Sequence, residues 1–144
     1  ARRNQRVQVL AKDRLMATRV AKGQGTHIGL PGRSAEEIVS GKHGSTSMTF
    51  RRVEIPVANP DELLRKPHVH HDFEECIHVV SGQGVTCTEA DEFPVGPGDT
   101  MIIPAGELHV TRNTGAEPLV LLCFFPVPDI VPGTSTGMFS ECDE

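Results

Sequence analysis

Residues 67–84, PHVHHDFEECIHVVSGQG, gather His68, His70, His71, Glu74 and Glu75 into eight positions. His68 and His70 are one residue apart, so an extended strand points both imidazoles to one face. Glu75 follows five residues later and adds a carboxylate. Two imidazoles and a carboxylate make most of a site for a divalent first-row metal. A fourth ligand has to come from elsewhere in the chain, and His109, within GDTMIIPAGELHVTRN, is the best candidate. Three nitrogens and one oxygen suit Fe(II), Mn(II), Ni(II) or Zn(II), and in an octahedral sphere they leave two positions for substrate, water or dioxygen.

Short strands must carry these residues. Beyond the motif stretches, strands are expected at 6–10, 15–20 and 45–57, and a loop at 23–32. Ser34 and Glu37 read as a capping box for a helical turn ended by Gly41. A second helical turn is expected at DELLRK, after Asn59 and Pro60. From His68 onward the expected strands are 68–70, 75–81, 85–89, 100–103, 109–113 and 119–125, with turns at Gly82-Gln83-Gly84, around Gly98 and around Gly106. Strands at this spacing with so little helix predict an all-β antiparallel sandwich or barrel. Parity points His68, His70, Glu75, Ile77 and Val79 inward and Cys76, His78 and Val80 outward. It puts His109, Thr111 and Asn113 on one face. The tail after Pro126 has no period and is expected along the surface or partly disordered.

The 144 residues suit one domain, divided as an N-terminal arm and strands (1–44), a barrel (45–126) and a tail (127–144). No apolar run is long enough to span a membrane, and no leader pattern is visible. Four cysteines without a CxxC pair suggest a reducing, cytoplasmic setting. The net charge of −5 is uneven: residues 1–33 carry +7 and the rest −12. The basic segment reads as one laid against an acidic body rather than as a nucleic-acid arm, because no aromatic residue is interleaved with it.

HVHHDFEECIHVVSG resembles the first motif of the cupin superfamily at His68, His70, Glu75 and Gly82. GDTMIIPAGELHVTRN resembles the second at Gly98, Pro104, Gly106, His109 and Asn113. One position departs from the pattern: Glu62 stands where a leading Gly is expected. The resemblance implies a β-barrel, or jelly roll, with a metal inside, usually as a homodimer. It carries His68, His70, Glu75 and His109 over as ligands.

Other residues have lesser candidacies. Glu107, two residues before His109, is a weak candidate acid/base. Phe50, Arg52, Met101 and Phe124 are candidate pocket residues beside an otherwise apolar core. Arg52, His27, Arg33 and His43 would bind an anionic substrate if the N-terminal segment covers the mouth. Glu74 is expected to be solvated, His71 an exposed turn residue and Asn113 structural. The expected activity is metal-dependent, on a small oxygenated molecule: a non-haem iron dioxygenase first, with an isomerase, lyase or decarboxylase of a sugar or keto acid, or a non-catalytic binding cupin, as alternatives.

Overall fold

The computed structural model describes residues 16–58 and 65–140. Its strands form two antiparallel sheets whose inner faces line one cavity. The larger sheet holds β1 (Thr26–Leu30), β2 (Arg33–Val39), β3 (Thr49–Ile55), β10 (Leu119–Phe125), β5 (Glu75–Ser81) and β8 (Thr100–Ile103), in that spatial order. The smaller holds β11 (Thr134–Thr136), β4 (His68–His70), β9 (His109–Asn113), β6 (Gly84–Thr88) and β7 (Glu92–Val95). This is the all-β antiparallel architecture that the strand spacing predicts, arranged as the jelly roll that the resemblance implies. Among the described residues, no helix is long and apolar enough to cross a membrane.

Alternation decides which side chains enter the interior. On β5, Glu75, Ile77 and Val79 are buried, while Val80 is exposed. On β10, Leu119, Leu121, Cys123 and Phe125 point in and Phe124 points out. The inward residues of the larger sheet, with Phe73, Val95 and Ile130, form the apolar core. The neighbouring strands β4 and β5 belong to different sheets, so the turn between His70 and Glu75 carries one ligand across to face the others.

The N-terminal expectations need correction. The proposed strand at 6–10 lies outside the described residues, as does most of the turn expected at DELLRK. Residues 16–20 are not a strand. The expected loop contains β1, and the expected helical turn at 34–41 is β2. The cause is tertiary. Leu30 pairs with Arg33 across Pro31-Gly32, and Gly32 takes the positive φ of 66° that the tight turn requires. Ser34 lies opposite Glu54 in the ladder, so it caps nothing, and β2 gains a full edge of hydrogen bonds from β3. Ser40 is the capping residue instead. Its Oγ accepts from the Lys42 N–H at the start of a single 3₁₀ turn, Gly41–His43.

The tail is also more ordered than expected. After Pro126 it buries Ile130, makes a 3₁₀ turn (Val131–Gly133) and adds β11 to the edge of β4. His71 N–H donates to Gly133 O, which fixes the register of this addition.

Candidate metal centre

Three strands bring the four donors together. β4 supplies His68 and His70, β5 opens with Glu75, and β9 opens with His109, whose Cα pairs with that of His68. Gly106, at φ 85°, turns the chain just before β9 and donates its N–H to His70 O at 2.7 Å. A side chain there would be strained. The loop therefore ties the His70 strand directly to the approach to His109.

The four ligand atoms lie within 4.8 Å of one another. The His68 ring centroid is 4.3 Å from that of His109 and 5.0 Å from that of His70. His70, Glu75 and His109 are almost wholly buried. Metal–nitrogen bonds of about 2.1 Å place opposite donors about 4.2 Å apart, so the cluster has the right span for a first-row ion.

The outer hydrogen bonds make the fit sharper. Thr134 Oγ1 donates to Ile130 O at 2.6 Å, so it accepts from His70 Nδ1–H at 2.8 Å. His109 Nδ1–H donates to Glu107 O at 2.9 Å. With both Nδ1 protons committed outward, the Nε2 atoms of the two rings face Glu75 Oε2 at 3.0 and 2.9 Å. Acceptors converging this closely need a cation among them, either a proton or a metal.

Titration follows the same geometry. Burial alone would push the Glu75 carboxyl up, but its close contacts with His109 and His70 outweigh it and hold it at about 2. Burial, reinforced by the charge of His109, drops the His68 imidazole to about 3, so it is a neutral donor. Burial works against protonating His109, yet its bond to Glu75 and that carboxylate's charge raise it overall. In the metal-free chain, His109 is thus where the compensating proton sits.

The surrounding candidates sort clearly. Glu107 does not line the cavity; its part is the backbone carbonyl that orients His109. Phe50, Arg52, Met101 and Phe124 do not line it either. The ladder pairs Phe50 with Phe124 and Arg52 with Leu122 on the outer face, so the inner positions are Arg51 and Cys123. Met101 packs against the core from β8. Of the other anion-binding candidates only Arg33 lines the cavity. His27 is exposed and bonded to Gly23 O, and His43 sits between Thr26 and Ser40. Glu74 is exposed, and so is His71, whose Nε2 bonds Ser135 Oγ. Asn113 is buried and structural: Nδ2 donates to Ile55 O and Glu117 O, and Oδ1 accepts from Gly115 N–H.

Three contributors were not singled out from sequence. Thr134 orients His70. Arg51 and Glu37 form a partly buried ion pair in the cavity wall, with Nε and Nη2 both on Oε2 at 2.9 and 2.6 Å. Cys123 lies beside Glu75; burial and that carboxylate's charge push its thiol well above the ordinary range, so it stays protonated. The alternation through β2 and the Pro31-Gly32 turn were the signals that could have found the ion pair. The cavity as a whole encloses about 950 Å³, with the four donors in its lining.

The sequence family described as "Cupin domain" matches residues 57–125. An uncharacterised protein, MJ1618, of Methanocaldococcus jannaschii is 36% identical over 56 residues, which cover 39% of this chain and 45% of that protein. The chain spans less than half the length of the curated relatives it matches. Among solved structures, the polyketide cyclase RemF from Streptomyces resistomycificus superposes with a TM-score of 0.69 at 21% identity, covering 88% of this chain and 89% of that one. A putative sugar phosphate isomerase from Acidithiobacillus ferrooxidans gives 0.59 at 27% identity, over 80% and 76%.

Proposed function

Because this chain is a cupin-domain protein with a three-histidine, one-glutamate cluster that could hold a metal ion, we propose that it is a metal-dependent enzyme of the non-haem iron dioxygenase type, acting on a small oxygenated molecule. His68, His70, Glu75 and His109 would hold the ion. When bound, iron(II) supplies a Lewis-acidic centre and redox chemistry with dioxygen. The observation that carries the metal reading is the convergence of two committed imidazoles and a carboxylate on one point.

The choice of dioxygenase rests on the carboxylates. Glu37, Glu75 and Asp129 are those in the described lining, and each is engaged: by Arg51, by His70 and His109, and by the Val131 N–H. An isomerase needs a protein group that takes and returns a proton, and among the described carboxylates of the lining none stands uncommitted. The chain's own residues would bind and orient the substrate and keep bulk water from the buried donors.

An isomerase or related lyase is the second reading, favoured by the likeness to the putative sugar phosphate isomerase. The two separate on dioxygen. Iron-loaded protein should consume dioxygen stoichiometrically with a diketone, hydroxy acid or keto acid from a substrate panel. Turnover under strict anaerobiosis would refute the dioxygenase. The assembly we propose is a homodimer through the outer face of the larger sheet, where Phe50 and Phe124 pair at 6.4 Å and Ile102 is 67% exposed. Sedimentation equilibrium giving a monomer at micromolar concentration would refute it.

A further inference from the structure

The cavity has walls of two kinds. Ile28, Leu30, Val53, Leu121, Phe125 and Ile130 make an apolar side. Arg33, Lys42, Arg51 and Arg65 bring four cationic side chains, against the three carboxylates of Glu37, Glu75 and Asp129. With neutral imidazoles the described lining therefore carries a net +1, rising to +3 with a divalent ion, in a chain whose overall charge is −5.

The sign is built into the larger sheet. The parity that buries Ala35 and Glu37 on β2 also turns Arg33 inward. One inner row then runs Glu37, Arg51, Cys123, Ile77 across four strands, which carries guanidinium charge to the residue beside Glu75. An ion pair in a barrel wall is not needed for stability, because apolar replacements of buried pairs are often neutral or stabilising. Arg33 lines the same cavity as His68 and His109.

The neutral polar groups are few and mostly occupied. Among Ser40, Thr111, Thr134 and Thr136, the first bonds Lys42 N–H, the second Thr86, and the third Ile130 O and His70. The described neutral groups offer few partners to the several hydroxyls of a sugar, and burying hydroxyls unpaired is costly. A hydrocarbon would meet the apolar side, and a single negative charge would meet the arginines.

We propose that the cavity takes a monocarboxylate with a hydrocarbon body, its carboxylate toward Arg33 and the metal centre and its body against Ile28, Leu30, Val53 and Leu121. This rests on the cavity being the substrate site of the metal-dependent enzyme described above. Arg33 is the residue that selects the charge.

Calorimetric titration of the metal-loaded chain with octanoate, 1-octanol and glucose 6-phosphate tests it. Octanoate should bind most tightly. Arg33→Gln should weaken octanoate about tenfold or more and leave octanol unchanged, as expected for loss of a charge-assisted hydrogen bond. Arg33→Lys should retain most of the preference and guards against a folding defect, with a melting curve on each variant. Equal affinity for octanoate and octanol, tighter binding of glucose 6-phosphate, or binding of none of the three overturns the proposal. Repeating the titration on chelator-treated protein separates the two readings. A carboxylate preference that survives there while the protein takes up no iron would sink the metal enzyme and leave the carboxylate site standing.

Discussion

Replacing Thr134 with Val should weaken metal binding without disturbing the fold. Val has nearly the shape of Thr, so the change removes a hydroxyl and keeps the volume. That hydroxyl donates to Ile130 O at 2.6 Å and accepts from His70 Nδ1–H at 2.8 Å. Without it, a ring N–H that is 2% exposed loses its partner. A buried unsatisfied donor costs about 1–3 kcal/mol. The ring can escape by rotating or by moving its proton to Nε2, and both remove the lone pair that faces Glu75. Outer-shell partners of this kind typically contribute about 10–100-fold to metal affinity, or about 1.4–2.7 kcal/mol at 1.36 kcal/mol per decade. The assay is competition for Zn(II) against a chelator of known affinity, with the His70 tautomer read from ¹⁵N shifts of the metal-free protein. Thr134→Ser keeps the hydroxyl and should bind like the parent. The reasoning is refuted if Thr134→Val retains parental affinity, or if Thr134→Ser loses as much as Thr134→Val.

Other consequences are open to measurement. His109→Ala and Glu75→Gln should each reduce the metal retained after dialysis from about one ion per chain to near none, because each removes one of four donors; unchanged metal content would show that the donors are assigned wrongly. Arg51→Met should cost about 3–5 kcal/mol in urea unfolding by leaving Glu37 buried and uncompensated, whereas the double change Arg51→Met with Glu37→Leu should be close to neutral. Burial pushes the Glu37 carboxyl up, but the bonds from Ser40 and Arg51 hold it below its usual value. Its stabilisation is therefore present above the unfolded carboxyl range and lost as pH falls through the folded value. The double variant should lack that part of the acid destabilisation. Metal binding should release a proton at pH 6.5 and below, where raised His109 is protonated in the metal-free chain, and less as pH climbs through its folded value. Calorimetry in buffers of different ionisation enthalpy reads this directly, and a proton count that is flat across the range would contradict it.

Most strands from His68 to Phe125 were legible because period-2 alternation and turn glycines act within a few residues, but β7, Glu92–Val95, was not expected. Strand boundaries at 68–70, 75–81, 100–103, 109–113 and 119–125 agree with the observed ones. The N-terminal third was misread for the converse reason. Residues 34–41 satisfy a local capping pattern, and only pairing with β3, which lies about fifteen residues on, makes them a strand. A capping box is worth little when a full ladder edge is available. Phe50, Arg52 and Phe124 stay off the cavity lining by single-residue parity. Arg52 and Phe124 lie next to inner positions, and in a two-sided strand a neighbour in sequence is on the opposite face.

The sequence by itself determined the donor types and the spacing that puts His68 and His70 on one face. It also determined the glycines that permit the turns between the ligands. These are local properties of backbone and side-chain chemistry. The tertiary structure decided what those donors meet. Closure of the barrel set His109 Nε2 at 2.9 Å and His70 Nε2 at 3.0 Å from Glu75 Oε2. Addition of the tail to the edge of β4 brought Thr134 to His70, 64 residues away in sequence. Folding of β2 onto β3 put Glu37 and Arg51 in the cavity wall. Each of these is a long-range pairing whose partner no local pattern names. That is why the candidate donor set was readable in the chain, while the groups that orient the donors and the charge of the cavity emerged only from the fold.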